Sequence, residues 1–322
     1  MMDDLFAYSE EQYCAIFEDL IEDLTYSMNP TKNPQAYILG GQSGAGKSTL
    51  HKLILEEMQG NIIIVDNDTF KPLHPNYDQL AEKIGVEVTE YVKPFSNRLT
   101  NELIDYLSDQ KYNLIIEGTL RTTETPIKTN TQLKNKGYST NLYVIATQSE
   151  LSYLSTLERY LDMYLEEPET ARATPKVIHD EIVKAIPGNL ETLYNHHIFN
   201  EIKVLTRQGE LLYSMHATPL KSPKSVLEEK LTCVLNIDQR ENIYGRLEQK
   251  LQRIKEKAVI ENKILVEIET RVASYKNLRR DKIKPKQTIL QKEIEQAKME
   301  QEKLLKHRLP STNKEKTKTK RL

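Results

Sequence analysis

Apolar residues in the first 235 positions form short continuous runs that alternate with stretches in which apolar positions recur every three or four residues. The continuous runs predict buried strands at Tyr37–Leu39, Ile62–Val65, Leu114–Ile116 and Leu142–Ala146. The spaced stretches predict helices around residues 9–27, 47–58, 96–109, 126–136, 149–166 and 175–195. Two later runs, Glu201–Thr206 and Glu210–Tyr213, predict strands or a hairpin. Strands that alternate with helices are typical of the α/β class, so we expect a parallel sheet flanked by helices.

Beyond residue 236 the strand-like runs stop, and apolar residues step by three and four. The first series is Tyr244, Leu247, Leu251, Ile254 and Ala258, and the second is Leu265, Ile268, Val272 and Tyr275. A third follows Pro285 and consists of Leu290, Ile294, Ala297 and Leu304. The spacing predicts a helical hairpin or a coiled-coil-like extension over residues 236–309, with heptads that polar residues interrupt. Residues 310–322 are rich in lysine and predict a disordered basic tail.

Charge divides the chain at the same place. Residues 236–322 contain 24 Lys or Arg against 13 Asp or Glu, whereas the whole chain contains 45 against 47. The first 235 residues are therefore acidic and the extension is basic, which predicts two domains with different roles. We expect the extension to pack on the acidic domain or to be tethered to it. Contact with a nucleic acid or another anionic partner is the less favoured alternative.

Composition narrows the class of protein. Hydrophobic residues make up 38% of the chain, enough for a substantial core. The two cysteines, Cys14 and Cys233, lie far apart and are interpreted as reduced thiols of a cytoplasmic protein. The acidic start Met-Met-Asp-Asp does not suit a signal peptide, and no apolar run approaches the roughly 18 residues of a membrane span.

The strongest motif follows the first predicted strand. Residues 41–48 read Gly-Gln-Ser-Gly-Ala-Gly-Lys-Ser, which matches the P-loop pattern G-x-x-x-x-G-K-[ST]. Glycines in such a loop let backbone N–H groups turn toward phosphate oxygens, and the following helix points its positive end at the same anion. We therefore expect a nucleoside triphosphate site formed by Gly41, Gln42, Ser43, Gly44, Ala45, Gly46, Lys47 and Ser48. Lys47 would bind the β- and γ-phosphates, and Ser48 would ligate Mg²⁺.

Acidic residues follow two other predicted strands. Asp66 and Asp68 come directly after Ile62–Val65, and Asp68 is a candidate base for an acceptor hydroxyl. Alternatively, one or both aspartates cap the following turn. Glu117 follows Leu114–Ile116 and is a candidate for the magnesium shell or the acceptor site, unless this segment is a plain strand-to-helix turn.

Candidate cations for phosphoryl transfer lie further along the chain. Arg159 is on a predicted helix and Arg172 is in a loop, where guanidinium groups could stabilise the charge on a transferring phosphate. Arginines on protein surfaces are common, so an ordinary surface role is the alternative for each. The adjacent His196 and His197 are interpreted as surface residues, since neighbouring histidines rarely face one metal ion.

Taken together, five segments resemble the zeta toxin family over residues 36–235. They are the P-loop segment 40–48, Val-Asp-Asn-Asp-Thr-Phe-Lys at 65–71, Ile-Glu-Gly-Thr at 116–119, Glu-Arg-Tyr at 158–160 and Thr-Ala-Arg-Ala-Thr-Pro-Lys at 170–176. The resemblance implies a kinase of the P-loop superfamily that uses Mg²⁺ with ATP or GTP. It also implies that the acceptor is the 3′-hydroxyl on the amino sugar of UDP-N-acetylglucosamine, that the reaction poisons cell-wall synthesis, and that a small antitoxin protein neutralises the enzyme.

Residue roles carried over from this resemblance fall into two groups. The catalytic group would consist of Lys47 on the phosphates, Asp68 as general base, and Arg159 and Arg172 around the transferring phosphate. The sugar nucleotide would be contacted by Asp68, Asn101, Glu117, Thr119, Arg121 and Thr129.

Two positions depart from the family pattern: Asn101 stands where a family member has Glu, and Leu120 where it has Gly. The lost charge at Asn101 bears on sugar recognition and leaves open a kinase for another hydroxyl acceptor. A nucleotide-binding regulatory protein that has lost catalysis is the alternative from another class.

Overall fold

The predicted strands pair side by side in one mixed sheet in the computed structural model, which describes residues 5–168, 171–217, 221–256 and 262–279. The strands are β1 (Gln35–Gly40), β2 (Ile63–Val65), β3 (Leu114–Ile116), β4 (Ser139–Ala146), β5 (Glu201–Thr206) and β6 (Leu211–Ser214). Their order is β2-β3-β1-β4-β5-β6. Strands β1 to β5 are parallel, and β6 runs antiparallel to β5 as the second strand of a hairpin. The predicted parallel α/β sheet is confirmed.

Helices occupy the segments between the strands. They are α1 (Glu10–Thr25), α2 (Ser48–Glu57), α3 (Asn67–Phe70), α4 (Tyr77–Ile84), α5 (Val88–Tyr91), α6 (Lys93–Asp109), α7 (Glu124–Asn135), α8 (Ser149–Glu166), α9 (Lys176–Asn195), α10 (Pro223–Thr232) and α11 (Ile237–Lys255). The predicted helices are present within a few residues of their expected ends, whereas α3, α4, α5 and α10 were not predicted. In the part of the chain that the structure describes, no helix is long and apolar enough to cross a membrane.

The sheet buries both of its faces, which explains why its strands are continuous apolar runs. Successive side chains of a strand point to opposite faces. Ile38 and Val144 belong to one buried cluster with α6 and α9, while Leu39 and Ile145 belong to another with α2. Because both faces are covered, the sequence shows no alternation of apolar and polar residues there.

The strand order places three functional segments at one edge of the sheet. Strands β1, β2 and β3 are parallel neighbours, so their carboxyl ends lie together. The P-loop follows β1, Asp66 follows β2, and Glu117 follows β3. Parallel α/β sheets bind ligands in the crevice at this edge.

The first compact unit of the structure runs to residue 265, whereas the change in charge predicts a domain boundary near residue 235. Helix α11 lies between these two positions and packs against α8. Residues 263–279 are helical, and Leu265, Ile268 and Val272 are buried, as the three-four spacing predicts. Ala258, the third series after Pro285 and the tail 310–322 lie outside the described residues.

Candidate active site

The P-loop residues form a tight cradle between β1 and α2. Gly44 has φ +73°, and a Cβ atom added there would lie 2.1 Å from the Ser152 carbonyl oxygen. Gly41, with φ +148°, would place its Cβ 2.5 Å from Ile145 Cγ2. Both positions therefore require glycine. Helix α2 begins at Ser48, as predicted, so its positive end faces the cradle.

Buried hydrogen bonds hold the back of the cradle. The Gln42 side chain is fully buried and donates from Nε2 to Thr147 O and to Ser152 Oγ, both at 3.0 Å. Thr147 Oγ1 donates to Ala45 O at 2.7 Å. Only the backbone of Gln42 can therefore meet a nucleotide, and its side chain fixes the loop to β4 and α8.

Lys47 lies at the mouth of the cradle beside a carboxylate. Its Nζ donates to Gly41 O at 3.3 Å and lies 3.7 Å from Glu117 Oε2. Glu117 Oε1 is also 2.5 Å from Nε2 of His51. His51 was not predicted, although it lies four residues after Lys47 and therefore on the same face of a helix. Glu117 thus lies beside Lys47, the lysine predicted to bind phosphate.

Asp66 and Asp68 take different roles in the turn after β2. Asp66 is the N-cap of α3, and its Oδ1 accepts from the Asp68 N–H at 3.0 Å, so the capping alternative holds for this residue. Burial and the charges of Glu117 and Asp68 raise the pKa of Asp66 against the opposing effects of the Asp68 N–H and Lys47. The Asp68 side chain is exposed and paired with Lys71 Nζ at 2.6 Å.

Both predicted arginines act electrostatically on Asp68. Although the Asp68 side chain is exposed, neighbouring protein atoms partly desolvate its carboxylate, which opposes ionisation. The hydrogen bond and charge of Lys71 and the charges of Arg172 and Arg159 outweigh this effect and lower the pKa of Asp68. Arg159 lies on α8, and Arg172 lies in the segment 171–175 before α9. Asp68 therefore lies within electrostatic range of two arginines from distant parts of the chain, while the cation it contacts directly is Lys71.

Asn67 anchors the turn that carries Asp68, a role that the sequence analysis missed. Its Nδ2 donates to Asn97 Oδ1 at 3.1 Å and to Thr100 Oγ1 at 3.0 Å, and its Oδ1 accepts from Ser96 Oγ at 3.2 Å. These three partners lie on α6. An asparagine between two aspartates gives no sequence signal for this role, since its partners are about thirty positions away.

The residues expected to contact the acceptor lie on several elements. Asn101 is exposed on α6, Thr119 follows β3, and Thr129 lies half-buried on α7. Arg121 Nη2 donates to Glu181 Oε2 of α9 at 3.1 Å. The role of these residues in acceptor binding stays a prediction.

Leu120 adopts a backbone conformation that favours glycine. Its φ is +58°, and its side chain is buried. Asn189 Nδ2 donates to Leu120 O at 2.9 Å and to Arg121 O at 2.7 Å, which holds this loop against α9. The departure from glycine at this position therefore introduces backbone strain that the surrounding contacts maintain.

The cradle suits the phosphates of a nucleotide, since Gly41, Gly44 and Gly46 have positive φ angles, and glycines in such a loop let backbone N–H groups turn toward an anion. The Ser48 hydroxyl is exposed at the start of α2. Within the described ranges, no group of three or more His, Cys, Asp or Glu residues is arranged to hold a metal ion. If magnesium binds with the nucleotide, the Ser48 hydroxyl and phosphate oxygens would hold it, and this assignment stays a prediction.

The remaining predictions concern residues away from the cleft. Cys14 and Cys233 are both free and exposed. His196 and His197 are exposed, as predicted for surface residues.

Comparison with known proteins identifies related sequences. The family model described as Zeta toxin matches residues 18–218. Toxin zeta of Streptococcus pyogenes is 46% identical over 244 residues, which cover 76% of this chain and 85% of that protein. Toxin PezT of Streptococcus pneumoniae is 42% identical over 224 residues, covering 70% of this chain and 88% of that protein.

A solved structure supports the same relationship. A chain from the PezAT chromosomal toxin–antitoxin system of Streptococcus pneumoniae aligns with a TM-score of 0.70 at 36% sequence identity. The alignment covers 79% of this chain and 99% of that chain. The similarity thus extends over most of this chain and nearly all of that one.

Proposed function

This chain belongs to the zeta toxin family, and we propose that it is a toxin-type kinase that transfers the γ-phosphate of ATP or GTP to the 3′-hydroxyl of UDP-N-acetylglucosamine. The observation that carries the proposal is the group formed by Asp68, Arg159 and Arg172 at the sheet edge where the phosphate cradle opens. A carboxylate within electrostatic range of two guanidinium groups, at the same sheet edge as the proposed triphosphate site, suits transfer to a hydroxyl.

The residues divide the reaction between them. The cradle and Lys47 hold the donor phosphates, and the lowered pKa of Asp68 keeps its carboxylate ionised. Asp68 accepts the proton of the acceptor hydroxyl as that oxygen bonds to the γ-phosphorus. The bond between the γ-phosphorus and its bridging oxygen breaks, and the nucleoside diphosphate leaves. Arg159 and Arg172 stabilise the charge on the transferring phosphate, and magnesium, when bound, would neutralise part of the phosphate charge.

The proposed acceptor is the one that the family resemblance implies. The substitution at Asn101 makes a direct test of this acceptor necessary. Asn101 has an amide where a family member has a carboxylate. An amide can both donate and accept hydrogen bonds, so it suits a sugar hydroxyl without the charge. Because of this substitution, the acceptor should be tested with a panel of nucleotide sugars and not with UDP-N-acetylglucosamine alone.

The biological consequence that we propose is a block of peptidoglycan synthesis in the cytoplasm, through loss of its nucleotide-sugar precursor. A small antitoxin protein would neutralise the enzyme. The toxin–antitoxin system to which the PezAT structure belongs supports this expectation.

The test is acceptor-dependent transfer. The protein is incubated with magnesium, ATP or GTP and a panel of nucleotide sugars, and products heavier by one phosphate are sought by mass spectrometry. We expect phosphorylated UDP-N-acetylglucosamine together with release of nucleoside diphosphate, and both formed at least about 100-fold more slowly with Asp68→Asn.

Two other results would change the proposal. Phosphorylation of a different sugar alone would replace the acceptor and retain the kinase. No acceptor-dependent release with any sugar, despite nucleotide binding, would contradict the kinase and favour a regulatory protein.

A further inference from the structure

Helix α11 lies beyond the segment that the family model matches, and it packs on the helix that carries Arg159. The family model ends at residue 218, whereas α11 spans Ile237–Lys255 and packs against α8. Four apolar residues of α11 are buried, namely Ile243, Leu247, Leu251 and Ile254. Their spacing of three and four residues gives α11 one continuous apolar face.

Basic residues of α11 pair with acidic residues along α8. Arg240 Nη2 lies 2.8 Å from Glu150 Oε2 near the start of α8. Lys250 Nζ lies 2.7 Å from Asp162 Oδ2 near its end. The ion pairs therefore extend over most of α8, and they join the basic part of the chain to the acidic part.

Glu158 is the central anchor of this contact. Arg246 binds it through two bonds, from Nε to Oε1 at 2.6 Å and from Nη2 to Oε2 at 2.9 Å, and Lys250 Nζ binds Oε1 at 3.0 Å. Only 15% of the Glu158 side chain is exposed. Burial opposes its ionisation, but the bonds from Arg246 and Lys250 lower the pKa of Glu158 overall. A bidentate arginine–carboxylate pair fixes the relative orientation of the two side chains as well as their distance.

Helix α8, which carries Glu158, also contacts the phosphate cradle. Ser152 accepts a hydrogen bond from Gln42, and Ser155 Oγ accepts from Arg207 Nη1 at 2.7 Å. The Arg207 side chain lies against Gly46, where an added Cβ would be 2.9 Å from Arg207 Cγ. Helix α8 therefore connects the cradle with α11, and Arg159 follows the anchored Glu158 directly in sequence.

We propose that Arg246 and Lys250 are positioning residues: by holding Glu158, they fix α8 so that Arg159 reaches the transferring phosphate. This inference rests on the proposed function, and it assigns to α11 a part in the same reaction. The helix thereby completes the kinase rather than serving as a separate appendage.

The first experiment compares two charge reversals on one helix. Arg246→Glu places a carboxylate against Glu158, whereas Arg253→Glu makes the same change at an exposed position of α11. Displacing a catalytic group by about 1 Å can lower a rate up to roughly 100-fold, so we expect kcat of Arg246→Glu to fall about tenfold or more. Its KM for the nucleotide should change less than kcat, because the cradle is also held by Thr147, which does not belong to α8. Arg253→Glu should behave as the wild type.

A double-mutant cycle separates positioning from a general structural role. If Arg246 acts through Arg159, Arg246→Glu should cause no further loss of kcat in an Arg159→Ala background. Losses that multiply would overturn the proposal. The charge swap Glu158→Arg with Arg246→Glu should recover part of the activity that either single change removes.

Hydrogen exchange tests, independently of the reaction, whether the binding of Glu158 by Arg246 and Lys250 stabilises α8. We expect faster exchange of backbone amides over residues 149–166 in Arg246→Glu than in Arg253→Glu. Should the reversal prevent folding, Lys250→Ala and Arg246→Lys serve as milder variants in the same comparison. A wild-type protein without transferase activity would refute the proposed function. Hydrogen exchange alone would then test whether Arg246 and Lys250 fix α8. Equal exchange in Arg246→Glu and Arg253→Glu would overturn the proposal that they do.

Discussion

The two ends of the cleft are built in different ways. The phosphate cradle comes from eight consecutive residues, and its glycines are required by contacts with buried atoms of β4 and α8. The end where we propose that the acceptor binds draws on separate elements: Asp68 after β2, Asn101 on α6, Arg121 after β3 and Thr129 on α7. Asp68, Asn101 and Arg121 are exposed.

This difference shows how tightly packing constrains each end. At Gly41 and Gly44, an added side chain would meet buried atoms, so we expect substitutions there to disturb the loop directly. The two departures from the family pattern lie at the proposed acceptor end, where Asn101 is exposed and Leu120 is buried. Packing thus constrains the cradle, whereas Asp68, Asn101 and Arg121 at the other end are exposed and can be exchanged with less effect on packing.

The largest expected effect separates the two ends completely. Asp68→Asn removes the proton acceptor and leaves the cradle intact. Loss of general base catalysis costs roughly 10²- to 10⁴-fold in rate, so we expect a loss of kcat in that range with unchanged nucleotide affinity. Lys47→Ala should weaken nucleotide binding itself. Calorimetry for binding and a coupled assay for transfer check both; full activity in Asp68→Asn would exclude this base assignment.

A methyl group in the cradle should reverse that pattern. Gly44→Ala places Cβ against Ser152 O and should abolish measurable nucleotide binding. Gly60→Ala is the matched control, because Gly60 also has positive φ, at +79°, but nothing lies within 4 Å of its added Cβ. The control should lose only about 1–2 kcal/mol of unfolding free energy, the cost of left-handed backbone. Urea denaturation and nucleotide titration compare them; normal binding in Gly44→Ala would show that the cradle is not rigid.

Loosening the anchor of Asp68 should give an intermediate loss. Asn67→Ala removes the hydrogen bonds to Asn97, Thr100 and Ser96. Misplacement by about 1 Å can cost up to roughly 100-fold, so we expect kcat to fall about 10- to 100-fold with nucleotide affinity retained. Steady-state kinetics measure the split between kcat and KM. A normal kcat would mean that β2 and the Asp66 cap position Asp68 without Asn67.

The smallest expected effect is a shift in pH dependence. Lys71 lowers the pKa of Asp68, so Lys71→Met should raise that pKa. The acid limb of the kcat profile should then move to higher pH, with little change at neutral pH. The corresponding stability, present above the ordinary pKa of aspartate and lost as pH falls through the lowered pKa, should also be lost at higher pH than in the wild type. If the acid limb of the pH–rate profile does not move in Lys71→Met, the group whose ionisation controls that limb is not Asp68.

Local features were predictable because their causes lie within a few residues. Helix α1 lies within the predicted segment 9–27 and begins with a capping box formed by Ser9 and Gln12, and α8 spans the predicted residues. Helix α11 also begins with a capping box, from Asn236 and Gln239, which the sequence analysis did not use. Helices α3 and α5 contain four residues each, too few for a periodic signal.

The amino-acid sequence by itself determined the class of fold, the phosphate cradle and the family, since strand runs and the P-loop depend on neighbouring residues. Tertiary structure alone decided which distant residues meet. Asn67 is hydrogen-bonded to α6, and the charges of Arg159 and Arg172 act on Asp68. Glu158 binds Arg246, which is 88 positions away. Such pairs depend on strand order and on helix packing, which no local spacing of residues encodes.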